Sequence, residues 1–236
     1  MVRGRLLLPI AVAAMAAAVA AAPPEGPPRR LRPQRVRVTN TMGHGGQSST
    51  LESRVLLQSS TKTFRDGSFI VPDTLSAGVQ LGNTASYSLT AWIKTRLGGT
   101  IVAKTSKRWV ANCKSLYIHR SGTVEFAVAY VGSVTSHRRV NDNRWHHIAL
   151  TYNHPSQELV LHIDGHLSSH KVFDPEQDPD WAVLQLGFTT TQYPYGRSHF
   201  QGQISDLTYW KHVLTTKEIR GAGNFAAATR VMLRHA

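Results

Sequence analysis

From about Thr50 onward, apolar and polar residues alternate in short runs with a period close to two. "SYSLTAWIKT", "SLYIHR", "TVEFAVAYV", "HHIALTY", "ELVLHIDG", "AVLQLGF" and "GQISDLTYW" are rich in β-branched and aromatic residues, and Gly, Asn, Asp or Pro separates them. Successive strand side chains face opposite sides, so each run has one side to bury. Many such strands with no long helical period between them predict an antiparallel sandwich, not an α/β fold. Asp164-Gly165 in "HIDGHL" predicts a two-residue hairpin, because a type I′ turn needs positive φ at both central residues. One short helix is predicted in "VLTTKEIRG". Thr215 caps it, Glu218 completes the capping box, Leu214 and Ile219 form a hydrophobic staple, and Gly221 ends it.

The first 50 residues have a different texture. Residues 1–22 combine a basic start with an Ala-rich apolar run, the layout of a secretory signal peptide that ends near Ala18-Val19-Ala20. An organellar transit peptide and a retained membrane anchor are the alternatives; the arginines favour the first of these, and Pro9 and the weak apolarity of alanine disfavour the second. Residues 23–50 are rich in Pro, Arg and Gly and read as a linker, or as an arm whose Arg29, Arg30, Arg32, Arg35 and Arg37 dock on an acidic partner. The folded domain is expected over residues 51–222, with a tail over 223–236. After processing, no integral membrane span is expected.

Charge and cysteine content narrow the function classes. Lys plus Arg is 27 against 14 Asp plus Glu, a formal +13, which favours sulfated glycans, anionic lipid or RNA-rich assemblies as partners. Cys113 is the single cysteine, so an intramolecular disulfide and a Cys-rich zinc site are excluded.

Several residues invite a chemical reading. His146 and His147 are adjacent, and on a strand they point to opposite faces, so they cannot grip one ion. His162, His166 and His170 are spaced by four, but a two-residue turn pairs Ile163 with His166 and His162 with Leu167, which sends His162 and His166 to opposite sides. In "DPEQDPDW", Asp174, Glu176, Asp178 and Asp180 could coordinate a hard cation such as calcium. On a strand, Glu176 and Asp178 could instead act as a glycosidase pair, although Pro175 and Pro179 favour a loop. Trp181 offers a stacking face to a sugar. In "TTTQYPYGRSHF", Tyr193, Tyr195 and Arg197 offer two more aromatic faces and a bidentate donor.

"SLTAWIKT", "GGTIVAK", "RWHHIALTY", "LVLHIDG", "LQLG" and "FQGQISDLTYWKHVLTTKEI" together resemble, in order and spacing, laminin-G-like, concanavalin-A-like jelly-roll domains. The pentraxin-type branch is the most similar, and the likeness covers about residues 63–220. It implies an all-β, two-sheet antiparallel jelly-roll sandwich with one short C-terminal helix, and in that pattern His147 packs near the core while His146 faces outward. Ligands of such domains usually bind at rim loops or on the concave face. Pentraxin-type domains carry a cysteine pair joining two of these strands; the resemblance places its equivalents at Ala91 and Ala149. The acidic calcium run expected after "LQLG" reads "FTTTQYPYGR" here, without a carboxylate. The expectation is therefore a non-enzymatic, exported module that binds a glycan, anionic glycans included, or a protein partner through rim loops. It needs no cofactor unless the acidic loop holds calcium. The alternatives are a structural subunit of a mitochondrial or other organellar assembly that contacts RNA or protein, and a carbohydrate-active enzyme.

Overall fold

The computed structural model describes residues 54–58, 61–65, 69–70, 78–191, 193 and 198–223, all within the unit Gly46–Ala236. The N-terminal segment, its arginine arm, Tyr195 and Arg197 lie outside the described residues.

Among the described residues, twelve strands are formed: β1 (Arg54–Gln58), β2 (Lys62–Arg65), β3 (Phe69–Ile70), β4 (Tyr87–Thr105), β5 (Lys114–Ile118), β6 (Thr123–Val128), β7 (Gly132–Arg139), β8 (Trp145–Asn153), β9 (Glu158–Ile163), β10 (His166–Val172), β11 (Val183–Leu186) and β12 (Gln201–Trp210). The helix α1 (Thr216–Ala222) follows. Every strand pairing is antiparallel. The first sheet runs β10-β9-β8-β4-β12, with β1 and β2 end to end along the far edge of β12. The second runs β7-β6-β5-β4-β11-β3.

β4 belongs to both sheets. Its first half pairs with β8 and β12, and its second half with β5 and β11. The crossing falls at Gly98 (φ 80°) and Gly99 (φ 111°). A Cβ at either would collide with a carbonyl oxygen, of Ile118 or of His199, so only glycine fits this bend. Thr95 Oγ1 secures the corner by accepting from the Leu97 N–H (3.1 Å) and the Gly98 N–H (2.8 Å).

The inward side of each strand forms one continuous core that includes Tyr87, Leu89, Ile93, Leu116, Phe126, Ile148, Leu150, Leu161 and Phe200. The β9–β10 hairpin has the expected register, His166 with Ile163 and Leu167 with His162, around Asp164 (φ 53°) and Gly165 (φ 75°). Thr215 and Glu218 form the expected capping box. Gly221, expected to end the helix, lies inside it, and the chain leaves at Gly223 with φ −79°.

Two expectations need correction. Ala91 and Ala149 are not partners: Ala91 pairs with Ile148 and faces the core, whereas Ala149 pairs with Thr90 and faces outward beneath α1. The one-residue offset reverses the face, because the side-chain period is two. His147 is buried, as expected, but on the outer face of the first sheet, against Trp92 (ring centroids 5.2 Å apart). His146 shares its side with core-facing Ile93 and Ile148, at the end of the strand.

Candidate functional site

At one end of the sandwich, three loops meet over the second sheet; their described residues are 106–113, 173–182, and 187–191 with 193 and 198–200. Lys104 on β4 and Lys114 on β5 are directly opposed in register and share the inward side of Val102 and Leu116. Like charges so placed repel. Asp178 separates them, with one carboxylate oxygen 3.0 Å from Lys104 Nζ and the other 3.0 Å from Lys114 Nζ. The Leu81 N–H donates to the same carboxylate at 2.8 Å. Lys104 also donates to the Val79 carbonyl, and Lys114 to the carbonyls of Asn112 and Gln177. Burial pushes the Lys114 ammonium below its ordinary pKa, and Asp178 opposes that shift. Burying such a triad is tolerable only with its hydrogen-bonding capacity met in this way. Asp178 pins the acidic loop to two adjacent strands of the second sheet, β4 and β5, and to the segment at Leu81.

The other three carboxylates diverge from it. Asp174 accepts from Asn83 Nδ2 (3.1 Å), from Gln157 Nε2 and from the Glu176 N–H. Glu176, at φ 56°, and Asp180 are exposed. The structure does not bring the four together, and among the described residues no group of three or more His, Cys, Asp or Glu side chains could hold a metal ion. Nor do Glu176 and Asp178 form a facing pair, since one is exposed and the other is locked between lysines.

Trp181 is placed differently. The Ala182 N–H donates to the Pro179 carbonyl at 2.9 Å, making a tight turn with Asp180 and Trp181 at its corner. Trp181 is 52% exposed and borders a shallow cleft of about 380 Å³ shared with Ala111, Asn112, Gln177 and Asp180. Tyr193, expected to offer a stacking face, is buried. Its ring packs on Trp109 (4.8 Å) and Tyr117 (5.1 Å), over Cys113 and Ala127, and so builds the rim from within. Thr190 ties this loop to the next through the Lys107 carbonyl (2.7 Å).

Sequence reasoning missed one polar cluster. On the outer face of the second sheet, His119 Nε2 lies 2.6 Å from Glu125 Oε2. Burial alone would raise the Glu125 pKa, but hydrogen bonds from His119, Ser133 and Thr135 hold it below its ordinary value. The only signal in the sequence was a Glu alternating with outward Ala127 in "TVEFAV"; its partners are His119, just past the end of β5, and Ser133 and Thr135 on β7.

This is a two-sheet lectin-type sandwich with a loop-built rim. The chain belongs to the family described as the concanavalin A-like lectin/glucanases superfamily (Laminin_G_3), whose match spans residues 66–220. No curated protein sequence matches it. Solved structures share its fold. A candidate carbohydrate-binding protein from Bacteroides ovatus is 19% identical, with a TM-score of 0.51 over 70% of this chain and 47% of that one. The CBM40 of the Ruminococcus gnavus IT-sialidase is 14% identical, with a TM-score of 0.52 over 71% of this chain and 100% of that module. The NanB sialidase of Streptococcus pneumoniae is 10% identical, with a TM-score of 0.58 over 72% of this chain but 28% of that enzyme. The chain thus spans about half of the first and about a quarter of the last.

Proposed function

We propose that the domain is a non-enzymatic, exported binding module that takes a saccharide on the Trp181 rim. The observation carrying this reading is a half-exposed tryptophan at the corner of a turn whose loop is anchored through a buried ion triad. An indole held this way stacks on a sugar ring with little ordering cost, because its backbone is already fixed. Asn112, Gln177 and Asp180 border the cleft and suit hydroxyl groups as donors and acceptors. Among the described residues lining the cleft, Asp180 is the one carboxylate not neutralised by lysines, so the cleft favours a neutral saccharide over an anionic one. Support also comes from the descriptions of fold neighbours as a candidate carbohydrate-binding protein and a sialidase CBM40.

The test is a glycan array probed with the full chain, followed by titration of the best neutral oligosaccharide. Trp181→Ala should weaken binding about tenfold or more, while stability stays within about 0.5 kcal/mol of the parent. An array without a neutral saccharide hit, or a W181A variant that binds undiminished, overturns the assignment.

A further inference from the structure

Among the described residues, β7 and β10 are the outermost strands of the two sheets on one flank of the sandwich, and they run alongside each other. The His137 N–H donates to Ser168 Oγ at 3.0 Å and joins them. Beside that bridge lies a groove of about 250 Å³, lined by Ser133, Thr135 and His137 from β7 and by Ser169, His170 and Lys171 from β10. Its donors are in excess. Among the described residues, Ser169 Oγ is buried without a hydrogen-bond partner. Lys171 brings an ammonium, and Arg138 and Arg139 continue the exposed basic run on β7. The carboxylates nearby are already engaged: Glu158 accepts from His170 Nδ1 at 3.0 Å, and Glu125 is covered by His119, Ser133 and Thr135.

An apolar step stands at one end of this groove. The hairpin from β6 to β7 turns at Tyr130, which is 84% exposed at φ 63°. Four of the seven described non-glycine residues with positive φ are Asn or Asp, which tolerate it; Tyr130 is the only aromatic. A bulky side chain there is strained, and Gly or Asn would turn the chain more cheaply. Gly132, two residues on, lies against the Phe173 ring, which brings the hairpin tip beside the end of β10, where Val172 is 63% exposed. An exposed, strained tyrosine next to a cationic groove suits a ligand with both an anionic group and a ring.

We infer that the β7–β10 groove is a second saccharide site, for an acidic sugar bearing sulfate or carboxylate. Lys171, His137 and Ser169 receive the anionic group, and Tyr130 stacks on the ring. The site is separate from the Trp181 rim and does not depend on it.

The experiment uses the full chain with isotope-labelled histidine and a fully sulfated heparin tetrasaccharide, with its desulfated counterpart as control. NMR reads the His137 and His170 side chains directly, so binding confined to the N-terminal arginines leaves those signals unmoved. The sulfated probe should shift both histidines. Lys171→Gln and Tyr130→Asn should each weaken that titration about fivefold, Y130N with an equal or higher melting temperature. W181A should leave it unchanged, which separates failure of this site from failure of the rim. The assignment is overturned if the histidine signals do not move, if the desulfated probe binds equally well, if Y130N titrates like the parent, or if hexaglutamate shifts the same histidines at equal concentration.

Discussion

On the outer face of the first sheet, α1 closes over the strands: Leu214 and Ile219 cover Ala149, and Trp210 packs beside them. Trp210 Nε1 donates to Thr90 Oγ1 at 3.1 Å, so even the polar atoms of that face are drawn inward. Among the described residues, no helix covers the outer face of the second sheet. Its cover is Trp109 and Tyr193, delivered by loops, and beyond them lie a carboxylate–imidazole pair and an open cleft. A helix seals a sheet with one apolar side and leaves nothing to bind. Loops seal only part of a face, and what they leave open is shaped by residues that need not be apolar.

The two faces also differ in what would break them. The largest effect is expected at the loop anchor. Asp178→Ala leaves Lys104 and Lys114 opposed in the interior without their counter-ion and should cost about 3–5 kcal/mol in denaturant unfolding. A loss under 1 kcal/mol would mean that the acidic loop holds itself in place.

Acid should reach the helix-covered face next. Burial lowers the His147 pKa from 6.5 to about 4 and lowers that of His162, which lies beside Arg220. For a histidine depressed on folding, the unfolded chain binds more protons between those values. Stability is therefore whole above pH 6.5 and falls as pH drops toward 4, by on the order of 3 kcal/mol for His147. His146 has the opposite sign. Hydrogen bonds from its ring to Asp164 raise its pKa against the opposing effect of burial, and Asp142 adds to the rise. Its contribution is present at low pH and lost as pH rises through the raised value. Melting curves of the parent and of His147→Phe across this range separate the two. The variant should lose most of the acid sensitivity, and an unchanged profile would place that sensitivity elsewhere.

The smallest effect is at the helix cap. Thr215→Ala removes the hydroxyl that accepts from the Glu218 N–H and should cost about 1 kcal/mol, without changing saccharide binding at either site. A drop in glycan affinity would show that the two outer faces are coupled.

Much of this architecture was legible in the chain. Period-two alternation marks the strands, Asp164-Gly165 marks the hairpin with its register, and Thr215 with Glu218 marks the helix start, because each is a local rule satisfied by neighbours in sequence. The adjacent histidines were placed on opposite faces for the same reason. Which face was which was not legible: His147 is buried under a helix that arrives about 70 residues later, and the covering of an outer face is invisible to strand periodicity.

The candidate sites divide along the same line. Trp181 stood out as an aromatic in a Pro-rich acidic loop, and its exposure follows from a turn of four consecutive residues. Asp178 could not be told from Asp174, Glu176 and Asp180, since its role depends on Lys104 and Lys114 meeting across two strands. Tyr193 has the composition of a platform in sequence, but Trp109 and Tyr117 cover its ring, and no neighbour in sequence marks Glu125 or Tyr130. The sequence by itself determined the sandwich, its hairpin and its helix, because alternation, turn chemistry and capping act over a few residues. Only the tertiary structure decided which charges are buried, which rings are covered and where the sheet edges leave a groove. Those outcomes depend on side chains brought together from strands far apart in the chain.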